Sequence, residues 1–152
     1  DAGSRRLLGF TVTSSKTTDM VLKAVDQAVS TRKRYDPQFT GQGVIHHSDA
    51  GSQYTSLAFG QKLLDNGITG SIGRVGTAHD NALMESTIGL YKTELIHAGN
   101  KTWASRQEVE TETAAWVTWF NQQRLHSALD YRSPIEFEEA YNQQQDLLRQ
   151  AA

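Results

Sequence analysis

Two acids and a lysine are the residues of this 152-residue chain best suited to joint chemistry. Asp49 closes the short apolar stretch Gly43-Val-Ile-His-His-Ser-Asp49, and Glu85 follows after 35 intervening residues. Ala-Gly-Ser-Gln-Tyr comes after Asp49, so its carboxylate faces a loop and not a packed layer. The ends of strands in α/β sheets are where active sites gather. Glu85 falls in the first turns of a predicted helix. At 3.6 residues per turn, Asn81 and Lys92 lie within about 40° of it, giving a polar row Asn81, Glu85, Lys92. Met84, Ile88, Tyr91 and Leu95 form the adjacent stripe, predicted to pack. Carboxylates are hard oxygen ligands suited to Mg²⁺ or Mn²⁺. Two such ions held by acids can activate an attacking oxygen and stabilise a leaving one in phosphoryl transfer. Lys92 could then meet a phosphate. Spacing alone is a weak signal, because a chain with 17 acids has many acid pairs.

The elements that must position these residues follow from local pattern. Asp1-Ala-Gly-Ser-Arg reads as a turn and Leu7–Thr13 as a strand. Thr17 or Thr18 caps a helix in which Met20, Val21, Ala24, Val25, Ala28 and Val29 recur at helical spacing. Its last turn, Arg32-Lys33-Arg34, suits the helix dipole. Gly43–Asp49 reads as a second strand, Leu57–Leu64 as a helix stopped by Asn66-Gly67, and Ile68–Ile72 as a third strand. Asp80 is a helix cap for residues 81 to about 97. Ser105 caps a helix to about His126, with Val109, Thr113, Trp116, Val117 and Phe120 as its stripe. Ser133-Pro134 opens a last helix, whose polar end from Asn142 is expected to fray. The order of strands and helices predicts an α/β domain.

The local words sharpen this. His47-Ser-Asp49-Ala-Gly-Ser-Gln-Tyr-Thr-Ser56, then Asp80-Asn-Ala-Leu-Met-Glu85, then Tyr91-Lys-Thr-Glu94, then Phe120-Asn-Gln-Gln-Arg-Leu-His126 with Leu129 and Pro134, stand in that order. Together they resemble the integrase-like (DDE) transposases of bacterial insertion sequences, relatives of retroviral integrases. The resemblance runs to about Tyr141, giving a catalytic-core portion at 1–141 and a tail at 142–152.

The resemblance implies a ribonuclease-H-like fold and three acids binding two divalent ions, Mg²⁺ or Mn²⁺. It implies DNA strand cleavage and strand transfer. Asp49 matches the second acid and Glu85 the third, both as catalytic metal ligands. Lys92 matches a basic residue that often follows the glutamate, and Asn81 a residue beside the site. The family's first acid lies upstream of the turn that Asp1 begins, and Asp1 matches a different residue of that turn. The expectation is therefore a core without its first one to two strands, inactive by itself and binding metal weakly, its open sheet edge favouring self-association. Ala50 stands where the family commonly has Arg or another polar residue. The implied partners are transposon-end and target DNA, a further copy of the chain, and a helix-turn-helix protein or N-terminal region, with no membrane involved. The implied compartment is the bacterial cytoplasm, at the nucleoid. Two rivals are a non-catalytic remnant that acts only in assembly and a metal-dependent nuclease of the same fold.

Composition sets outer bounds. Apolar residues make up 38% and charged residues 21%, as in a folded domain. No cysteine is present, which excludes a disulfide, a thiol nucleophile and thiolate-bound zinc. The net charge of -2 argues against a uniformly basic nucleic-acid-binding domain. Residues 1–76 carry 9 Lys/Arg and 6 Asp/Glu, and residues 77–152 carry 6 and 11, so the basic and acidic residues are segregated.

Several other residues have a structural reading beside a functional one. One of His46 and His47 should turn into the core, and His47 could hydrogen-bond near Asp49. Trp103, Trp116 and Trp119 read as core or interface anchors. Asn121, Arg124 and His126 tie a helix end to the body, or Arg124 grips DNA phosphate. Arg5 and Arg6 read as solvated, and Gly73, Gly76 and His79 as a loop before the helix of Glu85.

Overall fold

Val21, Val25 and Val29 stack on one face of the first helix at four-residue intervals, and that stripe seeds the larger core. The computed structural model describes residues 1–73 and 82–151. In chain order the elements are α1 (Thr18–Tyr35), β1 (Ile45–Ser48), α2 (Leu57–Asp65), β2 (Thr69–Ile72), α3 (Ala82–Tyr91), α4 (Arg106–Gln122) and α5 (Pro134–Gln150). A π-helical turn, Lys92–Ile96, and a 3-10 turn, Ala98–Asn100, follow α3, and a second 3-10 turn spans Ser127–Leu129. The chain divides into two compact units, Leu8–Glu110 and a second made of Asp1–Leu7 with Thr111–Ala152.

In the Leu8–Glu110 unit, α1 packs its valines against Phe59 and Leu63 of α2 and against Ile68. Each such buried side chain contributes on the order of 1.5–3 kcal/mol. β1 and β2 pair in parallel, with Ile45 opposite Thr69 and Ser48 opposite Ile72. α2 is their crossover, as parallel pairing requires. It starts at Ser56, whose hydroxyl accepts the Phe59 N–H, and ends at Gly67, whose φ of 70° suits a residue without Cβ. The sheet of the described residues has these two strands.

Residues 7–13 are extended, as expected, yet pair with no strand among the described residues. A strand exists only through a neighbouring backbone, and here side chains take that place. Gln27 of α1 accepts the Phe10 N–H at 2.8 Å, and the Thr11 hydroxyl donates to the Met20 carbonyl at 3.2 Å. Gly9 permits the close approach, since a Cβ there would stand 2.4 Å from the Ala24 carbonyl oxygen.

α3 also departs from expectation. The predicted single helix to about residue 97 changes pitch at Lys92, where the His97 N–H reaches back five residues to the Lys92 carbonyl. The stripe predicted to pack is open: Met84 is 59% and Ile88 43% exposed, and α3 has no buried residue. No other described element packs extensively on α3 beyond the turn that continues it. Leu95, in that turn, is the part of the stripe that is buried.

The second unit is built on Trp116 and Phe120 of α4, with Leu129 and Pro134 also buried. The Trp116 and Phe120 rings lie 5.0 Å apart, and His126 meets Phe120 edge-on at 4.8 Å. α4 stops at Gln122, short of the predicted residue 126, because Trp119's carbonyl receives both the Gln123 and Arg124 amides. His126 then bridges to Arg132. Ser133 and Glu136 form a reciprocal capping box at the start of α5. α5 is helical through Gln150, including the polar stretch from Asn142 predicted to fray. Arg6, expected in solvent, is buried. Its Nη1 pairs with Glu138 Oε2 at 2.6 Å, while Ser4 Oγ donates to Glu138 Oε1 at 2.7 Å. A long cation can be buried where a carboxylate meets it. Asn121 serves as a side-chain stand-in for a strand, accepting the Leu7 N–H at 2.9 Å and donating to the Leu7 carbonyl at 2.8 Å.

Candidate active site

β1 delivers Asp49 to a loop at its carboxyl end, and a knot of short-range bonds fixes the turn that follows. Asp49 Oδ1 accepts the Gly51 N–H at 3.1 Å. The Gly51 carbonyl accepts the Tyr54 and Thr55 amides at 2.9 and 3.1 Å. A Cβ on Gly51 would stand 2.9 Å from Asp49 Oδ1 and 2.8 Å from Gln53 Nε2, so a larger residue there would displace these two side-chain ends. Asp49 itself is exposed, as a group that must meet a ligand would be.

Three rings anchor the loop to the core. Tyr54 stands edge-on to Phe59 at 5.4 Å, His46 edge-on to Phe59 at 5.2 Å, and His46 and Tyr54 are 6.3 Å apart. Strand alternation turns His46 inward and leaves His47 exposed. Burial lowers the His46 pKa below its ordinary value, its own backbone carbonyl opposes the change, and His47 adds to it. The Nδ1 of His46 has no hydrogen-bond partner among the described residues. Burial likewise raises the Tyr54 pKa, and the negative charge of Asp49 raises it further. That coupling puts the Asp49 carboxylate within electrostatic reach of the Tyr54 phenol.

Glu85 lies in the first turn of α3 and is exposed. Lys92, also exposed, is the first residue of the π-helical turn. Such local changes of pitch occur often at functional sites. Neither Asp49 nor Glu85 makes an ion pair among the described residues, so both carboxylates are available to a cation. Among the described residues, no three His, Cys, Asp or Glu side chains gather in a way that could hold a metal ion. Asn81, Asp80, Gly76 and His79 lie outside the described residues. Arg124 is in the other compact unit, half-buried, with Nη1 3.4 Å from His126 Nδ1 and its guanidinium 5.5 Å from the Phe120 ring centre. Sequence reasoning did not single out Gly51 or Tyr54 for a role. The signal was the Gly-x-x-Tyr spacing directly after Asp49, which sets a tight turn and returns an aromatic to the core.

A parallel strand pair joined by a helical crossover is the core of the Leu8–Glu110 unit, and sequence comparison gives its family. An integrase core domain matches residues 1–78, and a second integrase core domain model matches residues 66–134. The chain belongs to the integrase core family, with the ribonuclease-H-like fold. It is 49% identical over 93% of its length to a putative transposase for insertion sequence element IS986/IS6110 of Mycobacterium tuberculosis, covering 50% of that protein. It is 44% identical over 89% of its length to the transposase for insertion sequence element IS629 of Shigella sonnei, covering 43% of it. The chain thus spans about half the length of these relatives. Among solved structures, a chain of a simian T-cell lymphotropic virus intasome, in complex with PP2A regulatory subunit B56 gamma, superposes with a TM-score of 0.62 at 13% identity. That match covers 82% of this chain and 41% of the viral one, and it speaks to the fold. No helix among the described residues is long and apolar enough to cross a membrane.

Proposed function

We propose that this chain is a portion of a transposase catalytic core that cleaves DNA strands and joins them to a target with divalent metal ions. The observation that carries the reading is the exposed Asp49 carboxylate at the carboxyl end of β1, held by Gly51 within the matched core region. Asp49 and Glu85 would hold Mg²⁺ or Mn²⁺, since hard oxygen donors with no ion-pair partner among the described residues fit such ions. When bound, two ions supply activation of the attacking oxygen and stabilisation of the leaving one. The chain's own groups do the rest. Gly51 fixes one carboxylate oxygen of Asp49, Tyr54 keeps the loop against the core, and Lys92, Asn81 and Arg124 meet DNA phosphates. His47, beside the loop, is a hydrogen-bonding group for the site.

Asp49 and Glu85 are two of the three acids the resemblance calls for. Partners are transposon ends, target DNA, further copies of the chain and a helix-turn-helix region, acting at the bacterial nucleoid. The test joins the 152 residues to the upstream portion of a 49%-identical relative and assays strand cleavage and joining with Mg²⁺. The joined protein should cut and join DNA, and Asp49→Asn or Glu85→Gln should abolish both. Activity surviving either substitution overturns the site, and activity of the bare 152 residues overturns the need for a third acid.

A further inference from the structure

Asp130 and Tyr131 are consecutive non-glycine residues with left-handed backbone, at φ 53° and 56°. Asp tolerates that region through its short polar side chain, but a bulky aromatic does so at a cost. The surrounding bonds impose the conformation. The His126 carbonyl accepts the Tyr131 N–H at 3.0 Å, the Leu129 carbonyl accepts the Arg132 N–H at 3.1 Å, and the His126 N–H donates back to the Arg132 carbonyl at 3.2 Å. Little of the side chain is covered in return. Tyr131 is 72% exposed, and its side chain makes no hydrogen bond or ring contact among the described residues. Glycine or asparagine would fit the same backbone without strain. A strained, outward-facing aromatic is the pattern of a residue kept for an external ligand.

The neighbours indicate which ligand. Arg132, 46% exposed, follows Tyr131 directly, and the half-buried Arg124 and His126 open the same loop. Asp130, 85% exposed, reaches Arg132 only at 3.9 Å, and the Glu136 carboxylate also feels the Arg132 charge, yet no ion pair shorter than 3.9 Å holds the arginine among the described residues. A projecting ring among cations suits nucleic acid: the ring stacks on a base while guanidinium groups meet the flanking phosphates. We propose that Tyr131, with Arg132 and Arg124, is a DNA-stacking contact of this chain. The proposal rests on the DNA-processing reading above and adds a residue and a mode of contact to it.

The test uses the 152-residue chain, fluorescence anisotropy with labelled single-stranded and duplex oligonucleotides, thermal unfolding and sedimentation. Tyr131→Asn should leave Tm unchanged or raise it by up to about 3 °C, while DNA affinity falls about fivefold or more. Tyr131→Phe should keep wild-type affinity. A Tm several degrees lower in Tyr131→Asn would show that the ring supports the fold and would overturn the proposal. Equal affinity of wild type and Tyr131→Asn would overturn it while leaving the DNA reading intact. No DNA binding by the wild type would overturn both. Loss of self-association with unchanged DNA affinity would overturn it in favour of a second copy of the chain.

Discussion

Arg6 and Glu138 are 132 positions apart in sequence and 2.6 Å apart in space, the arginine side chain 5% and the glutamate 15% exposed. Ser4 completes the cluster on the other carboxylate oxygen. Removing one partner of a buried pair strands the other charge, at a cost of about 3–5 kcal/mol. Glu138→Ala should therefore lower unfolding free energy by about 3 kcal/mol or more in urea titration. A loss below about 1 kcal/mol, the value of a surface pair, would show that the pair is solvated in solution.

His46 gives the protein a pH dependence with a defined sign. Burial lowers its folded pKa below 6.5, so the fold favours the neutral ring. The stability it contributes is fully present above 6.5 and is lost as pH falls from there through the depressed folded value. Asp49, Tyr54 and His47 are the other titratable groups of this strand and loop. Glu136 acts in a separate window. Its pKa is held low chiefly by the Ser133 backbone N–H, so its contribution starts to fall only below about 4.5. Urea midpoints at pH 8, 6.5 and 5 should decline in wild type, and His46→Phe should flatten that decline. An equal decline in the variant would assign the effect elsewhere.

Gly51 separates geometry from stability at the proposed metal site. The added methyl of Gly51→Ala would stand 2.9 Å from Asp49 Oδ1, so the carboxylate must turn away. Strand cleavage by the joined protein should fall at least about tenfold, as for a misplaced catalytic group. Tm should change by no more than a few degrees. Wild-type cleavage in the variant would show that the Asp49–Gly51 bond does not set the productive carboxylate position.

Ser133 caps α5 from both sides, its Oγ accepting the Glu136 N–H at 3.4 Å while Glu136 Oε2 accepts the Ser133 N–H at 2.8 Å. Ser133→Ala should cost about 1 kcal/mol, and Ser133→Gly less, as N-cap replacements do. Amide exchange in the first turn of α5 is the direct readout. Unchanged protection in Ser133→Ala would show that the box is dispensable.

Local periodicity and end signals determined α1, α2, β1, β2 and the start of α5, because each depends on residues a few positions apart. Ser56, Gly67 and Ser133-Pro134 mark element ends with their own chemistry. Asp49 at a strand end and the loop beyond it were legible for the same reason, while the roles of Gly51 and Tyr54 in that loop were not. Tertiary structure decided what depends on distant partners. Leu7–Thr13 has strand composition, but strand identity needs a neighbouring backbone, and Gln27 and Asn121 side chains take that place. Arg6 reads as solvent-facing until Glu138 arrives from the far end of the chain. The apolar stripe of α3 has helical spacing, yet burial requires a surface to cover it, and none among the described residues does so extensively. The left-handed pair Asp130–Tyr131 is held by hydrogen bonds to His126 and Leu129 only a few positions away, yet it is not legible in the sequence because no glycine marks it.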